Sequence, residues 1–296
     1  MIPNFREIEF IKFLEKNPNR IFEGGKRFEE PINKNDGPLI SIITVSKNSS
    51  KFIQETIDSI KNQKYKNIEH IIVDGGSTDG TIDIIKKNIE YIDYFVSEAD
   101  LGNYDALNKG LSLCTGDLIG IVNSDDILLQ DATSILVKYY KQHLDVDFFF
   151  GSVKKHWGVI SGYHPRKIKY SCFFYKSHST GFFIKRKAAK FNGKYSLKYQ
   201  YSSDFDYFYR LIVHNKCNGI ATKKNEIFGI FRPGGISATL DKEKHFFEKI
   251  QIRFDNKQNK LFLLLLIIAK FVKNLFSNNK IKLKKFIEFI YINYLK

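Results

Sequence analysis

Leu118-Ile119-Gly120-Ile121-Val122-Asn123-Ser124-Asp125-Asp126 decides how this chain is read. A short apolar run ends abruptly in two adjacent carboxylates. Carboxylates at the end of a buried strand are costly unless a cation meets them. A divalent ion carrying a diphosphate would do so, because hard cations take oxygen ligands, commonly one or two carboxylates plus phosphate oxygens. Asn, Ser and Asp also favour a plain β-turn. The four polar residues alone leave both readings open.

Upstream, the pattern repeats. Strands are predicted at 39–45, 68–73, 94–96 and 118–122, with a further one at 148–150. Helical periodicity fills the intervals at 51–63, 81–88, 104–113 and 132–140. Strands alternating with helices through short polar connections argue for an α/β fold, a largely parallel sheet covered on both faces. Ligands of such sheets bind beyond the carboxyl ends of the strands. The polar clusters at 46–48, 74–79, 97–100 and 123–126 all fall there.

The flanks differ in character. Residues 1–37 read as a helical extension and linker, with Ile8, Phe10, Ile11, Phe13 and Leu14 on one short amphipathic helix. Residues 152–240 interleave aromatic and basic residues, predicting short strands and loops around one helix at 205–214. Trp157, Tyr163 and Tyr170 there are expected in the core, with sugar stacking as the alternative. Residues 241–296 form a basic helical tail. Its nine-residue apolar run at 261–269 is shorter than a bilayer span requires. From 261 onward seven lysines face one acid, Glu288, which suits an interfacial anchor on an anionic leaflet. Helices packed on the domain or on a second subunit would share that pattern.

Composition narrows the partners. The 296 residues carry 47 Lys and Arg against 32 Asp and Glu, a formal charge of +15. An anionic partner is implied. Three widely spaced cysteines show no metal spacing and no disulfide framework. The first twenty residues lack the apolar core of a signal peptide, so a cytoplasmic location is expected.

Asp74-Gly75-Gly76-Ser77-Thr78-Asp79-Gly80-Thr81 follows the second strand. Its glycines permit close backbone approach to a ligand, and a helix N-terminus there favours an anion. Ser41-Ile42-Ile43-Thr44-Val45-Ser46-Lys47-Asn48, then Val73 to Thr81, then Asn123 to Asp126 occur in order. Together they resemble the nucleotide-sugar half of glycosyltransferase family 2, whose members have a GT-A fold. Ser97-Glu98-Ala99-Asp100-Leu101-Gly102-Asn103-Tyr104-Asp105-Ala106-Leu107-Asn108-Lys109-Gly110 is similar to a bacterial surface-polysaccharide branch of that family. The resemblance covers about residues 38–240, with 38–151 as the nucleotide-sugar half and 152–240 as the acceptor half.

The resemblance implies roles. Thr44, Ser46 and Asn48 would line the nucleoside pocket, with Asp74 beside the base or ribose and Asp100 at the donor. Asn123-Ser124-Asp125 stands at the family's D-x-D position, with Asp125 and Asp126 serving Mn²⁺ or Mg²⁺. Asn123 replaces an expected aspartate, and Leu107 replaces an expected arginine, which leaves Lys109 to supply charge near the phosphates. Asp204 matches the family's catalytic base, able to take a proton from an acceptor hydroxyl. On a helix it lies about 200° from Asp206, so only one of the two faces a cleft. His178 and Arg232 are further candidates for holding phosphate or metal.

The expected activity is inverting, metal-dependent sugar transfer from a nucleoside-diphosphate-sugar donor to a lipid-linked saccharide acceptor. It belongs to surface-polysaccharide synthesis at the inner face of the cytoplasmic membrane. A sugar-phosphate nucleotidyltransferase and a non-catalytic basic module are the alternatives. Nucleic acid is not an expected partner, since acidic clusters at strand ends repel phosphate without a metal.

Overall fold

The computed structural model describes residues 8–29, 37–170, 179–232 and 241–276. The central strands are β2 (Ile40–Ser46), β3 (Ile68–Asp74), β4 (Tyr94–Ser97) and β5 (Leu118–Ile121). They run parallel in the order β4-β3-β2-β5. Every residue of β2 is buried. That follows from a sheet covered on both sides, where alternate β-branched side chains point to opposite cores. Ile43, Val45, Ile71 and Val73 pack with Ala106, Leu107 and Leu111 of α3 (Asn103–Leu113). Ile40 and Ile42 pack instead with Ile60 of α1 (Ile53–Lys61) and Leu136 of α4 (Ala132–Gln142). Ile72 and Phe95 meet α1 and Ile85 of α2 (Thr81–Lys87). The expected alternation of strands and helices is therefore present, and so is the mixed α/β sheet.

Two additions lie outside the simple repeat. β10 (Phe182–Lys185) inserts antiparallel between β5 and β7 (Phe148–Phe150), and β11 (Gly219–Ala221) then pairs parallel with β7. A second sheet joins β6 (Ile127–Leu128), β12 (Ile227–Ile230), β8 (Ser152–Lys155) and β9 (Gly158–Ile160) in that order. It carries the chain that leaves the candidate site at 126 back under residues 179–181, through contacts of β12 and β8 with that turn.

The helix expected at 8–14 is not formed. This segment is irregular, and Ile8 enters the core alongside Phe10, Phe13 and Leu14. Its apolar residues dock one by one, with the amide of Ile11 donating to Ser112 O at 2.7 Å and that of Leu14 to the Tyr94 hydroxyl at 3.2 Å. So short a run gains too little from helical hydrogen bonds to hold a helix against that docking. The chain continues as β1 (Phe22–Gly24), antiparallel to β4 at the sheet edge. Arg27 then buries its guanidinium 2.6 Å from Glu69 of β3.

In the second half, α7 (Ser203–Tyr209) starts before the predicted position and widens into a π-helical turn, Arg210–His214. α5 (Pro165–Tyr170) and α6 (Arg186–Asn192) are additional short helices. α8 (Lys242–Asp255) opens on Asp241, whose carboxylate accepts from the amides of Glu243 and Lys244. Arg253 of α8 is buried over Phe205 and Tyr209, so the first tail helix is anchored on α7. α9 (Lys260–Phe276) buries Leu263 and Ile267 and exposes Leu261, Leu264, Leu265, Ile268 and Val272. Among the described residues, no helix is long and apolar enough to cross a membrane. Tyr163 packs against Phe148 and Phe150 as expected of a core residue. Trp157 and Tyr170, in contrast, are 64% and 58% exposed.

Candidate active site

Asp74 organises the carboxyl edge of the sheet. Its side chain is fully buried and accepts from the hydroxyls of Ser46 (2.9 Å), Ser77 (2.5 Å) and Ser97 (2.7 Å). It also accepts from the amides of Gly76 (3.1 Å) and Ser77 (2.8 Å). A buried carboxylate is tolerable when its lone pairs are taken up by donors in this way. The ends of β2, β3 and β4 and the following loop are thereby tied to one point. The capacity of Asp74 is spent inside the protein, which makes it a positioning residue for the groups around it.

The other residues of the first strand divide. Thr44 is fully buried, with Oγ1 3.0 Å from Nε2 of His70, so it lies within the sheet core rather than at the strand end. Burial, with help from the Lys26 charge, depresses the His70 pKa to about 3. Ser46 meets Asp74. Asn48 is exposed, at a left-handed φ of 50°. Its amide donates to Ser77 Oγ at 2.7 Å, and its side-chain oxygen accepts from the Thr78 amide at 2.9 Å. Asp79 accepts from Thr81 and from the Ser50 amide, and these bonds outweigh its slight burial and hold its carboxyl well below the usual range. The two loops are thus stitched together.

Asn123–Asp126 forms a tight turn, with the Asp126 amide donating to Asn123 O at 3.0 Å. Ser124 Oγ lies 2.7 Å from Ser49 Oγ, and Thr56 donates to the carbonyls of both Ser124 and Asp126. Asp126 is fully buried. Its Oδ2 accepts from Thr180 Oγ1 at 2.7 Å and from Asn123 Nδ2 at 3.1 Å. Asn123 also donates to Ser179 at 3.0 Å. Asn at 123 therefore serves as a donor bridging the turn to the acceptor half, which an aspartate there would not do. Asp126 braces the turn, and Asp125, half-buried, is the carboxylate at the turn's surface. No cluster of three or more His, Cys, Asp or Glu gathers among the described residues. A single carboxylate at the turn fits an ion that would be held mainly by phosphate oxygens, and Asp125 is the residue that would hold it.

Lys109 is committed elsewhere. Its ammonium sits 2.8 Å from Glu98 Oε1 and 3.8 Å from Asp105. Glu98 also holds Arg20 at 2.9 Å and Asn17 at 3.1 Å. Burial works against the charge on Glu98, but bonds from Lys109 and Arg20 prevail and lower its pKa. Lys109 thus joins an ion-pair network that straps the N-terminal segment to the start of α3. Asp100 is half-buried and lies against Gly75.

Asp204 and Asp206 part as helical geometry requires. Asp204, in the first turn of α7, is exposed, whereas Asp206 is buried against Arg210 at 2.9 Å and Asn256 at 3.1 Å. Tyr104, in the first turn of α3, meets the start of α7: its hydroxyl lies against the backbone N–H groups of Ser203 and Asp204, and burial of that hydroxyl followed by the Asp204 charge pushes its pKa well up. His245 of α8 also feels the Asp204 charge, though burial and Lys249 lower its pKa overall. Arg232 forms a two-pronged contact with Glu55 and stacks over Phe52 at 5.0 Å, at the start of α1. His178 and the segment at 233–240 lie outside the described residues.

The bracing residues Ser77, Ser97, Ser49, Thr180 and Tyr104 were not singled out from the sequence as a set. Their signal was weak, because an isolated Ser or Thr reads equally well as turn chemistry.

Residues 41–205 match the family model for glycosyl transferase family 2. An uncharacterized glycosyltransferase of Methanocaldococcus jannaschii is 29% identical over 198 residues, covering 62% of this chain and 68% of the relative. A PGL/p-HBAD biosynthesis glycosyltransferase of Mycobacterium tuberculosis is 28% identical over 225 residues, covering 70% of this chain and 82% of the relative. Among solved structures, S. aureus TarS 1–349 in complex with UDP-GlcNAc superposes with a TM-score of 0.61 at 18% identity, covering 81% of this chain and 73% of that one. The chain spans 44% of the longer TarS structure. The mannosyltransferase PcManGT from Pyrobaculum calidifontis, in complex with GDP-Man and Mn²⁺, gives 0.55 at 18% identity, covering 79% and 69%.

Proposed function

The chain belongs to glycosyl transferase family 2, and on that premise we propose that it transfers a sugar, with inversion, from a nucleoside diphosphate to a hydroxyl of a lipid-linked saccharide in surface-polysaccharide synthesis. The observation that supports this reading is the collection of the family's ordered polar motifs at the carboxyl ends of β2, β3, β4 and β5, where Asp74 ties three strand ends together and the turn after β5 carries Asp125. The complexes of TarS with UDP-GlcNAc and of PcManGT with GDP-Man support a nucleotide-sugar donor for the fold.

In this reading the Asp74 hub fixes the loops that receive the nucleoside. Preorganised groups need no rearrangement when charge develops. Asp204 accepts the proton of the acceptor hydroxyl as its oxygen bonds to the anomeric carbon. The bond from that carbon to the phosphate oxygen breaks, and its electron pair leaves with the nucleoside diphosphate. A divalent ion bound with the diphosphate at Asp125 would neutralise charge on that leaving group. The buried Asp206 takes no part.

The exposed apolar stripe of α9, with Lys260 and Lys270 beside it, supports seating on an anionic leaflet at the cytoplasmic face. Product analysis tests the activity. Incubation with UDP- and GDP-sugars and a membrane lipid extract is expected to release nucleoside diphosphate and a lengthened lipid saccharide. Release of pyrophosphate from a sugar phosphate and a nucleoside triphosphate would instead make the protein a nucleotidyltransferase.

A further inference from the structure

The entry of α7 carries no cap of its own. Ser202 stands at the N-cap position but makes no side-chain cap bond, and its buried hydroxyl has no partner among the described residues. A serine there ordinarily takes up one of the free amides of the first turn. The groups that hold this entry come instead from two other elements. The Tyr104 hydroxyl of α3 lies against the N–H groups of Ser203 and Asp204. Glu248 of α8 spans the two residues before the cap. One of its carboxylate oxygens accepts from the Gln200 amide at 2.6 Å, and the other from the Tyr201 amide at 2.8 Å.

α8 is seated firmly enough to act as a reference for this loop. Glu248, Ile252 and Asp255 recur at helical spacing, and Ile252 is fully buried, so one face of α8 runs along the start of α7. Asp255 accepts from the Tyr199 hydroxyl at 2.6 Å, and Arg253 lies over Phe205 at 5.1 Å. This helix stands beyond residues 41–205, which match the family model. Asp204, in turn, follows the backbone that carries it. Its Oδ1 accepts from the Phe205 amide at 2.7 Å, so the carboxylate turns with the first turn of α7. A base works only within hydrogen-bond reach of the proton it takes. Its reach to an acceptor hydroxyl therefore depends on where the preceding residues are pinned. Bonds to an ionised carboxylate make the stronger pin. We propose that Glu248 is a positioning residue for Asp204, holding the entry of α7 so that the base stands at one place beside the acceptor. The inference rests on the reading of Asp204 as the base and names the group that sets its place.

Single-turnover transfer by the full chain, from saturating UDP- or GDP-sugar to the membrane lipid extract, tests it alongside donor titration. Glu248→Ala is expected to slow transfer about 10- to 100-fold, the upper figure being the cost of a misplacement of about 1 Å. Donor affinity should stay within about twofold, since the donor side is untouched. Glu248→Gln keeps one acceptor oxygen for one amide and should fall between Glu248→Ala and the wild type. A general loosening of the fold would not produce the decisive signature, which is non-additivity. In an Asp204→Asn background, Glu248→Ala should cost less than about a further twofold, because no base remains to be misplaced. A wild-type rate in Glu248→Ala, with Asp204→Asn slow, would overturn the positioning role and leave the base standing. Losses that multiply in the double variant would also overturn it, placing the effect of Glu248 in the fold. Undiminished transfer by Asp204→Asn would overturn the base reading itself, and the positioning role with it. If Glu248→Ala gives no cooperative melt, Glu248→Gln in the same two backgrounds decides by the same criteria.

Discussion

Asp204 and Asp206 show how two like residues, two positions apart, meet different surroundings. One is exposed in the first turn of α7, and the other is buried in an ion pair with Arg210. Asp204→Asn is expected to cut turnover by roughly 10²- to 10⁴-fold while changing donor affinity less than about twofold, because a general base acts only in the transition state. Single-turnover assays and donor titration separate the two, and undiminished turnover would take the role from Asp204. Asp74→Ala should act differently. It strands the hydroxyls of Ser46, Ser77 and Ser97, at a cost of about 1–3 kcal/mol for a buried group left unpaired. Lower urea stability together with weakened donor binding is expected, and full affinity would show that the hub does not position the loops. His70 gives a pH signature. Its folded pKa of about 3 lies below the unfolded 6.5, so the unfolded chain binds the extra proton. Stability from this group is intact above 6.5 and falls as pH drops towards 3, by about 1.4 kcal/mol per unit. Unfolding free energies from urea titrations at pH 7 and pH 5 should diverge by about 2 kcal/mol less in His70→Gln than in wild type.

Elements were legible in proportion to how strongly their pattern depends on burial. β2 to β5 and their helices follow from continuous β-branched runs between polar turns, a signal that survives any neighbour choice. The insertion of β10 was not legible, because Phe182–Lys185 reads the same in either direction and next to either partner. The N-terminal segment misled for a different reason. Its apolar spacing matches a helix, but long-range docking on α3 and β4 and the Arg27–Glu69 pair decide its shape. No local pattern encodes a partner 42 residues away. Of the proposed site, Asp204, Asp125 and the Asp100 turn are named from ordered motifs alone. The pairing of Lys109 with Glu98 was not legible, because it depends on Arg20 and Asn17 arriving from the strap. Arg27→Ala should test the strap. Removing one partner of a buried pair costs about 3–5 kcal/mol. Chemical denaturation is expected to register that loss, and a change below about 0.5 kcal/mol, the range of neutral surface substitutions, would contradict the strap's structural weight.

At the scale of the molecule, a net charge of +15 coexists with acidic residues at the strand ends. The basic tail offers one explanation, with α9 presenting Leu261, Leu264, Leu265, Ile268 and Val272 to the outside. Replacing Leu264, Leu265 and Ile268 by Ser should reduce sedimentation with anionic vesicles at least tenfold, since apolar burial at a bilayer surface contributes about 25 cal/mol per Å². Equal sedimentation would contradict a membrane role for α9. The central claim is the proposed donor site at the strand ends that carry Asp74, Asp100 and Asp125. Titration of UDP-sugar and GDP-sugar into the wild type and Asp125→Ala, with and without Mn²⁺, tests it most directly. Saturable binding to the wild type that strengthens with Mn²⁺, and loses that strengthening in Asp125→Ala, is the predicted result. Binding indifferent to both the ion and the substitution, or no binding of either nucleotide sugar, would contradict it.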